Sequence, residues 1–329
     1  MIVEAPVPTQ HRHRIDDVTR VGEARREAVR LAQLQGLSEE LAGRAALVAT
    51  ELANNLLRHG GGGELLLQRL DGAGACLVEI VALDRGPGMK DPERCLRDGY
   101  STAGTMGTGL GAVQRLSAEF DLYSAPEDGT VVLARVGVGS VPRLGVVSVA
   151  LQGEVESGDT WAIAYNDKTT TLLVVDGLGH GTFAAQAAQA ARTTFERSAD
   201  DSPHQLLTRL NRSLAGTRGA AAACAQIGPS GTLSYAGVGN IHGAVLTGEG
   251  MRGLVSHNGT LGLRAPRIQE FEYGKPSGAL LIMNSDGLSA RWDLARKPGL
   301  LRRHPGVIAA VLFRDYARQY DDATVVVLN

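Results

Sequence analysis

Two separated sets of carboxylates, each set among glycines, carry the residues of this chain that could do chemistry. In the second half, Gly158-Asp159, Asp176-Gly-Leu-Gly-His-Gly181, Ser285-Asp-Gly287 and Asp321-Asp-Ala-Thr324 put aspartates at strand ends or in turns beside small residues. Each Asp-Gly alone is also a turn signal. Together they form a set of hard oxygen ligands whose mutual repulsion a cation such as Mg²⁺ or Mn²⁺ would neutralise. Two such ions close together can hold a hydroxide for in-line attack on a phosphoester. In the first half, Glu51 and Asn55 stand four apart on a predicted helix and so share one face. A carboxylate there can act as a base beside an amide whose carbonyl oxygen ligates Mg²⁺, although the pair alone also suits a solvated polar face. Asp84-Arg-Gly-Pro-Gly88 closes an apolar run, and its carboxylate can accept from an exocyclic amine while Gly86 and Gly88 let backbone bend around a base. Gly107-Thr-Gly-Leu-Gly111 precedes a helix, so free N–H groups can face phosphates there.

These residues need a frame. Amphipathic helices are predicted over 20–36 and 38–58, the second opened by Ser38 with Glu39 and Glu40 in its first turn. Strands follow at 65–70 and 76–83, then a loop-rich stretch, a short helix near 110–118, and strands at 119–124 and 130–136. Three glycines and a proline in 137–145 mark a boundary. Beyond it, strands are predicted at 146–151, 160–165, 171–175, 221–227, 232–237, 243–246 and 323–328. Helices are predicted at 182–197, after Ser202-Pro203, and at 305–320, Ser with Pro at the first helical position being a good start signal. Both halves read as α+β with largely antiparallel sheets.

At 329 residues the chain suffices for two domains with cores of their own. A net charge of −2 gives no reason to expect nucleic acid. No apolar run nears the roughly 20 residues that span a bilayer, and the first fourteen residues lack a signal-peptide apolar stretch. Three isolated cysteines, Cys76, Cys95 and Cys224, suit neither a disulfide framework nor a zinc site. The expected setting is a reducing cytoplasm, without membrane.

With helix box, strand-end box and glycine box in this order, residues 15–136 resemble the GHKL ATPase fold. Within it they resemble the RsbT-type serine kinases of bacterial partner switching, above all over Asp84–Phe120, including Asp98-Gly-Tyr-Ser-Thr102. The resemblance implies Glu51 as base, Asn55 as Mg²⁺ ligand, and Asp84 with Thr130 near adenine. It also implies Gly86 and Gly88 along the base, and Gly107, Gly109 and Gly111 over the phosphates. Residues 145–329 resemble the PPM serine/threonine phosphatases of the SpoIIE and RsbX branch. That resemblance implies Asp176 bridging two Mn²⁺ or Mg²⁺ ions, the Gly177 carbonyl as a further ligand, Asp286 and Asp321 on the second ion, and Asp159 contributing through water. Asp322 would support them from behind. His180 is open between a proton donor and a helix-start residue satisfied by backbone, and Asn240 between a functional and a structural role.

The expected fold is therefore a GHKL (Bergerat-type) two-layer α/β sandwich over 1–137, a linker over 138–145, and a PPM-type αββα sandwich over 146–329. The expected function is a bifunctional regulator that phosphorylates a Ser or Thr of a STAS-domain switch protein with ATP and removes phosphate from phospho-Ser or phospho-Thr. An anti-sigma system or a cyclase-type output would lie behind it. The alternative is a nucleotide-gated phosphatase whose first domain only binds a partner. The GHKL resemblance is compatible with a homodimer.

Overall fold

The computed structural model describes residues 2–3, 10–72, 74–96, 109–166, 168–263, 267–274 and 277–329. They form two compact units. The first comprises Gln10–Pro142 and Leu294–Arg314; the second comprises Met1–Thr9, Arg143–Asp293 and Asp315–Asn329. Residues 294–314, expected to lie with the second half, thus belong to the first unit.

After a short strand β1 (Ile2–Val3) of the second unit, the first unit begins with β2 (His11–Ile15). Helices α1 (Val18–Leu34) and α2 (Glu39–Asn55) follow. Asp17 caps α1 by accepting from the Thr19 and Arg20 N–H groups, and Ser38 caps α2 through the Leu41 N–H. Strands β3 (Gly63–Gly72) and β4 (Ala75–Leu83), short helices α3 (Pro92–Cys95) and α4 (Leu110–Leu116), and strands β5 (Glu119–Ser124) and β6 (Thr130–Val138) complete the continuous part. The sheet is antiparallel, in the order β2-β3-β4-β6-β5.

Strand alternation decides which face each residue covers. Leu65, Leu67, Val78, Ile80, Val132 and Ala134 bury against Ala45, Ala49, Leu52 and Ala53 of α2 and Ala24, Ala28 and Leu31 of α1. Burying each of the larger aliphatic side chains is worth about 1.5–3 kcal/mol. The odd-numbered residues of β4 and β6 occupy the other face and are buried too: Leu77, Glu79, Val81, Val131, Leu133 and Arg135. That face receives α7 (Pro305–Tyr316), whose residues from Pro305 to Arg314 are all buried. At Gly306 a Cβ would come within 2.4 Å of Leu133 Cδ1, so a larger residue there would force the Leu133 side chain to move. The charges there are paired. Arg135 donates to Glu79 (2.8 Å) and Glu119 (2.7 Å), and Gln68 donates to the second oxygen of Glu79 (2.6 Å).

The second unit continues with β7 (Leu144–Val149), β8 (Asp159–Tyr165), β9 (Thr170–Gly177), α5 (Thr182–Glu196) and α6 (Pro203–Ser213). Strands β10 (Ala220–Ile227), β11 (Thr232–Val238), β12 (His242–Thr247), β13 (Gly250–Gly253), β14 (Glu270–Gly274), β15 (Leu280–Asn284) and β16 (Ala323–Leu328) follow. They form two antiparallel sheets, β1-β8-β9-β10-β11-β14 and β13-β12-β15-β16-β7. Trp161, Ile163, Val174, Tyr235, Leu281, Met283 and Val326 fill one core. On the other face of the first sheet, Leu173, Val175 and Ala222 pack with Ala187 and Phe195 of α5 and Leu206, Leu207 and Leu210 of α6. Ser202 and Gln205 form a reciprocal capping box at the start of α6. No helix among the described residues is long and apolar enough to cross a membrane.

Candidate functional sites

In the first unit, helix α2 ends at Asn55 and continues as a single wide π turn, Leu56–Gly60, closed by Gly61 in the left-handed region. This turn carries backbone against the 84–88 segment. A Cβ at Gly86 would lie 2.9 Å from both Gly60 Cα and the His59 carbonyl oxygen. The expected pocket glycine is therefore also required by close backbone packing. Gly88, at φ +65°, would put a Cβ 1.9 Å from the Ala125 carbonyl oxygen, so it too has a structural reason to be glycine.

Asp84 leaves the end of β4 opposite Thr130, its N–H donating to the Thr130 carbonyl (2.9 Å). One carboxylate oxygen, Oδ1, accepts from the Gly86 N–H (2.8 Å) and the Thr130 N–H (3.1 Å). The backbone thus fixes the plane of the carboxylate through Oδ1, a geometry in which Oδ2 can serve as an acceptor for a ligand. Burial pushes its pKa up, opposed by these two hydrogen bonds and by Arg314 and His59. Thr130 Oγ1 shares a hydrogen bond with Ser124 Oγ (2.9 Å), which also accepts from the Met89 N–H (2.9 Å). Glu51 is half-buried on α2, and burial raises its pKa against the opposing charge of Arg58. Asn55 Nδ2 is buried without a hydrogen-bond partner among the described residues, which leaves this donor open to an acceptor atom of a ligand; a cation would have to be held by the amide's Oδ1 instead. Gly109 precedes α4, and a Cβ there meets no described atom within 4 Å; Gly111 is buried in the first turn of that helix. Gly107 and the Asp98–Thr102 segment lie outside the described residues.

In the second unit the strand register builds the site. Asp159, first in β8, stands opposite Asp176 near the end of β9. Asp159 is 4% exposed, and its Oδ2 accepts from Ser285 Oγ (2.6 Å), which in turn accepts from the Thr324 N–H (3.0 Å). Asp286 follows β15 and Asp321 precedes β16, two strands that pair with each other. Burial, then the charges of Asp159, Asp286, Asp321 and Asp322, push the pKa of Asp176 well above the carboxylate range. Burial does the same for Asp159. Asp321 is also raised, by burial and by Asp286. The expected acidic residues are thus brought within one another's field. Among the described residues, however, no three His, Cys, Asp or Glu side chains gather tightly enough to hold a metal ion by themselves. The donor chemistry fits a hard divalent cation: the set is oxygen only, and its members disfavour one another's charge.

Close backbone packing shapes this site. A Cβ at Gly177 would meet the Ala184 carbonyl at 2.6 Å, and one at Gly287 would meet the Asp322 carbonyl at 1.8 Å. Asp322 is turned inward: Oδ1 accepts from the Leu151 N–H and Oδ2 from the Gly158 N–H, both at 2.7 Å. It therefore ties the start of the site to its end. His180 Nδ1 lies 2.8 Å from Glu154 Oε1, so its partner is a carboxylate rather than backbone. Asn240 donates to Asp286 Oδ2 (2.6 Å). Sequence reasoning missed Ser285 and Thr324 as supports of Asp159, although both lie inside the recognised motifs. Glu154 and Arg314 carried no local signal at all.

Comparison with known proteins gives two family matches. Residues 16–136 match the histidine kinase-like ATPase domain, and residues 166–329 match stage II sporulation protein E (SpoIIE). The serine/threonine-protein kinase RsbT of Bacillus subtilis (strain 168) is 36% identical over 91 residues, covering 28% of this chain and 68% of RsbT. The phosphoserine phosphatase RsbX of the same organism is 29% identical over 91 residues, covering 27% of this chain. That match spans 46% of the length of RsbX, less than half of it. A chain solved in work on the bacterial stressosome, described as a modular system adapted to control secondary messenger signaling, is 30% identical with a TM-score of 0.53. It covers 56% of this chain and 97% of its own.

Proposed function

Because this chain belongs to the RsbT-like histidine kinase-like ATPase family in its first half and to the SpoIIE phosphatase family in its second, we propose that it both adds and removes phosphate on a partner-switching protein. The acceptor would be a Ser or Thr of a STAS-domain protein. The observation that carries the removal step is the register setting Asp159 against Asp176, with Asp286 and Asp321 in their field, while the addition step is supported by the likeness to RsbT.

In the removal step, Asp176, the Gly177 carbonyl, Asp286 and Asp321 would hold divalent ions, and Asp159 would orient a bound water. The ions would supply an activated water and charge stabilisation for the phosphoryl group. The chain's own contribution is positional. Ser285 fixes the Asp159 carboxylate, Asp322 ties the Gly158 and Leu151 backbone to the metal loop, and Asn240 restrains Asp286.

In the addition step, the Glu51 carboxylate would accept the proton of the acceptor hydroxyl as that oxygen bonds to the γ-phosphorus and ADP leaves. The raised pKa of Glu51 brings it closer to the operating pH, which favours a base. Asn55 would hold the Mg²⁺ of Mg-ATP, and Asp84 with Thr130 would receive the adenine. Gly107, Gly109 and Gly111 would lie along the phosphates, and Gly86 and Gly88 along the base. Such chemistry depends mainly on positioning.

The test is an intact-mass time course of a STAS-domain protein with this chain, Mg-ATP and Mn²⁺, using wild type, Glu51→Gln and Asp176→Asn. The acceptor should gain one phosphate that persists with Asp176→Asn and is absent with Glu51→Gln. A prephosphorylated acceptor cleared by wild type, with no phosphate ever added, would leave a nucleotide-gated phosphatase and refute the kinase step.

A further inference from the structure

The nucleotide-facing turn at Asp84 is braced by a residue encoded far away in the second half of the sequence. Arg314, near the end of α7, is 5% exposed and belongs to the first unit. Its Nη1 donates to the Asp84 carbonyl oxygen (3.1 Å), and its Nη2 lies 3.4 Å from Asp128 Oδ1. The contact is reciprocal, because the Arg85 guanidinium donates to the Arg314 carbonyl. That carbonyl is one of the last four of α7, which have no partner within the helix. Arg85 therefore caps α7 while α7 braces the residue before Arg85.

The brace is part of a larger hold on the β5–β6 hairpin. Lys297 Nζ pairs with Asp128 Oδ1 (2.6 Å), while Tyr123 OH donates to Asp128 Oδ2 (2.9 Å). The His304 N–H and the Arg303 guanidinium (3.4 Å) both donate to Asp121. Gly129, at φ +66°, leaves no room for a Cβ, which would fall 2.2 Å from the Asp84 carbonyl and 2.9 Å from Arg314 Nη1. Asp84, Gly129 and the Arg314 guanidinium are thus packed as one piece, and Thr130 is the next residue in it.

We infer that Arg314 is a positioning residue for adenine recognition: by holding the Asp84 carbonyl and Asp128, it fixes the plane in which the Asp84 carboxylate and Thr130 meet the base. The inference rests on the reading of Asp84 as the adenine contact. Arginine suits the task because its planar fork binds two oxygens in a set geometry, whereas lysine offers a point charge on a flexible stem. The contacts named above run to the Asp84 carbonyl and Asp128, beside the base-facing residues, so its loss should affect base recognition selectively.

The experiment uses the full chain as wild type, Arg314→Met and Arg314→Lys. A fluorescent ATP analogue is titrated with ATP and with inorganic tripolyphosphate as competitors, and folding is followed by circular dichroism. Wild type should prefer ATP over tripolyphosphate. Arg314→Met should lose about tenfold in ATP affinity, the equivalent of one hydrogen bond, and keep its tripolyphosphate affinity within about twofold. Arg314→Lys should fall between. A folded Arg314→Met with the wild-type preference overturns the inference. If Arg314→Met does not fold, Arg314→Lys carries the comparison: a reduced preference supports the inference and an unchanged one overturns it. Wild type that binds no ATP, or prefers neither competitor, removes the adenine reading and the inference with it.

Discussion

The adjacent aspartates Asp321 and Asp322 stand in different surroundings, and a pair of substitutions separates them. Asp322 is 1% exposed, with each carboxylate oxygen accepting from a backbone N–H at 2.7 Å. Hydrogen bonds to a charged group contribute about 1.5–3 kcal/mol each, so losing both removes about 3–6 kcal/mol. Against this stands the cost of burying the carboxylate, seen in its raised pKa, which alanine relieves. We therefore expect Asp322→Ala to lose about 3 kcal/mol, a large share of a typical folding free energy of about 5–15 kcal/mol. Among the described residues Asp321 accepts one backbone N–H, that of its own neighbour (2.9 Å), and its side-chain hydrogen bond with Asp286 sets two carboxyl groups against each other, so Asp321→Ala should cost less than about 1 kcal/mol while abolishing Mn²⁺-dependent hydrolysis. The assay is urea unfolding in chelator, followed by tryptophan emission. Both tryptophans, Trp161 and Trp292, lie in the second unit, so the signal reports the unit that was altered. An Asp322→Ala midpoint equal to wild type, or one no lower than that of Asp321→Ala, would refute the assignment.

Two further outcomes are expected. Gly88→Ala places a Cβ 1.9 Å from a carbonyl oxygen in the left-handed region, adding about 1–2 kcal/mol of backbone strain to about 1–3 kcal/mol of overpacking. Gly109→Ala meets no described atom within 4 Å, so it should leave the circular dichroism transition near wild type while weakening ATP binding; equal midpoints for the two variants would contradict this. The second concerns pH. Asp159 and Asp176 have folded pKa values above their unfolded ones, so the folded state binds more protons, and stability is lost as pH rises through the folded values. In chelator, the tryptophan transition should fall from about pH 5 to about pH 8, and Asp176→Asn should flatten the slope; a slope of opposite sign would rule this out.

Much of both sites was legible because the motifs bundle chemistry with turn geometry. Asp84 at a strand end and the Ser202-Pro203 helix start stand where their local signals put them, and Asp176 lies one residue from the end of an apolar strand that runs two residues further than expected. What escaped was decided by tertiary contact. Strand β2, His-Arg-His-Arg-Ile, has a single apolar residue and no strand-like run. It is held as an edge by pairing with β3 and by the Arg12–Glu64 ion pair. Helix α2 was expected to run to residue 58 but opens into a π turn after Asn55, where the backbone must meet Gly86. Helix α7 was expected to reach residue 320 and stops at Tyr316, because Ala317 bridges to Leu288. Nothing local in the 294–314 segment says which unit it joins. That depends on oxygens of Asp84, Asp121 and Asp128 more than 160 residues earlier in the sequence.

The assignment of Leu294–Arg314 to the first unit also sets an order of synthesis. When a ribosome has finished Pro142, the hairpin of β5 and β6 still lacks the partners of Asp121, Asp128 and the Asp84 carbonyl. At about 5–20 residues per second, the stretch up to Arg314 takes roughly ten to thirty seconds more. By then the chain has passed Asp159, Asp176 and Asp286, and only Asp321 and the last strand remain to be made. A nascent chain therefore cannot complete its first unit before nearly all of its second has been translated. A prematurely terminated product is denied a finished first unit.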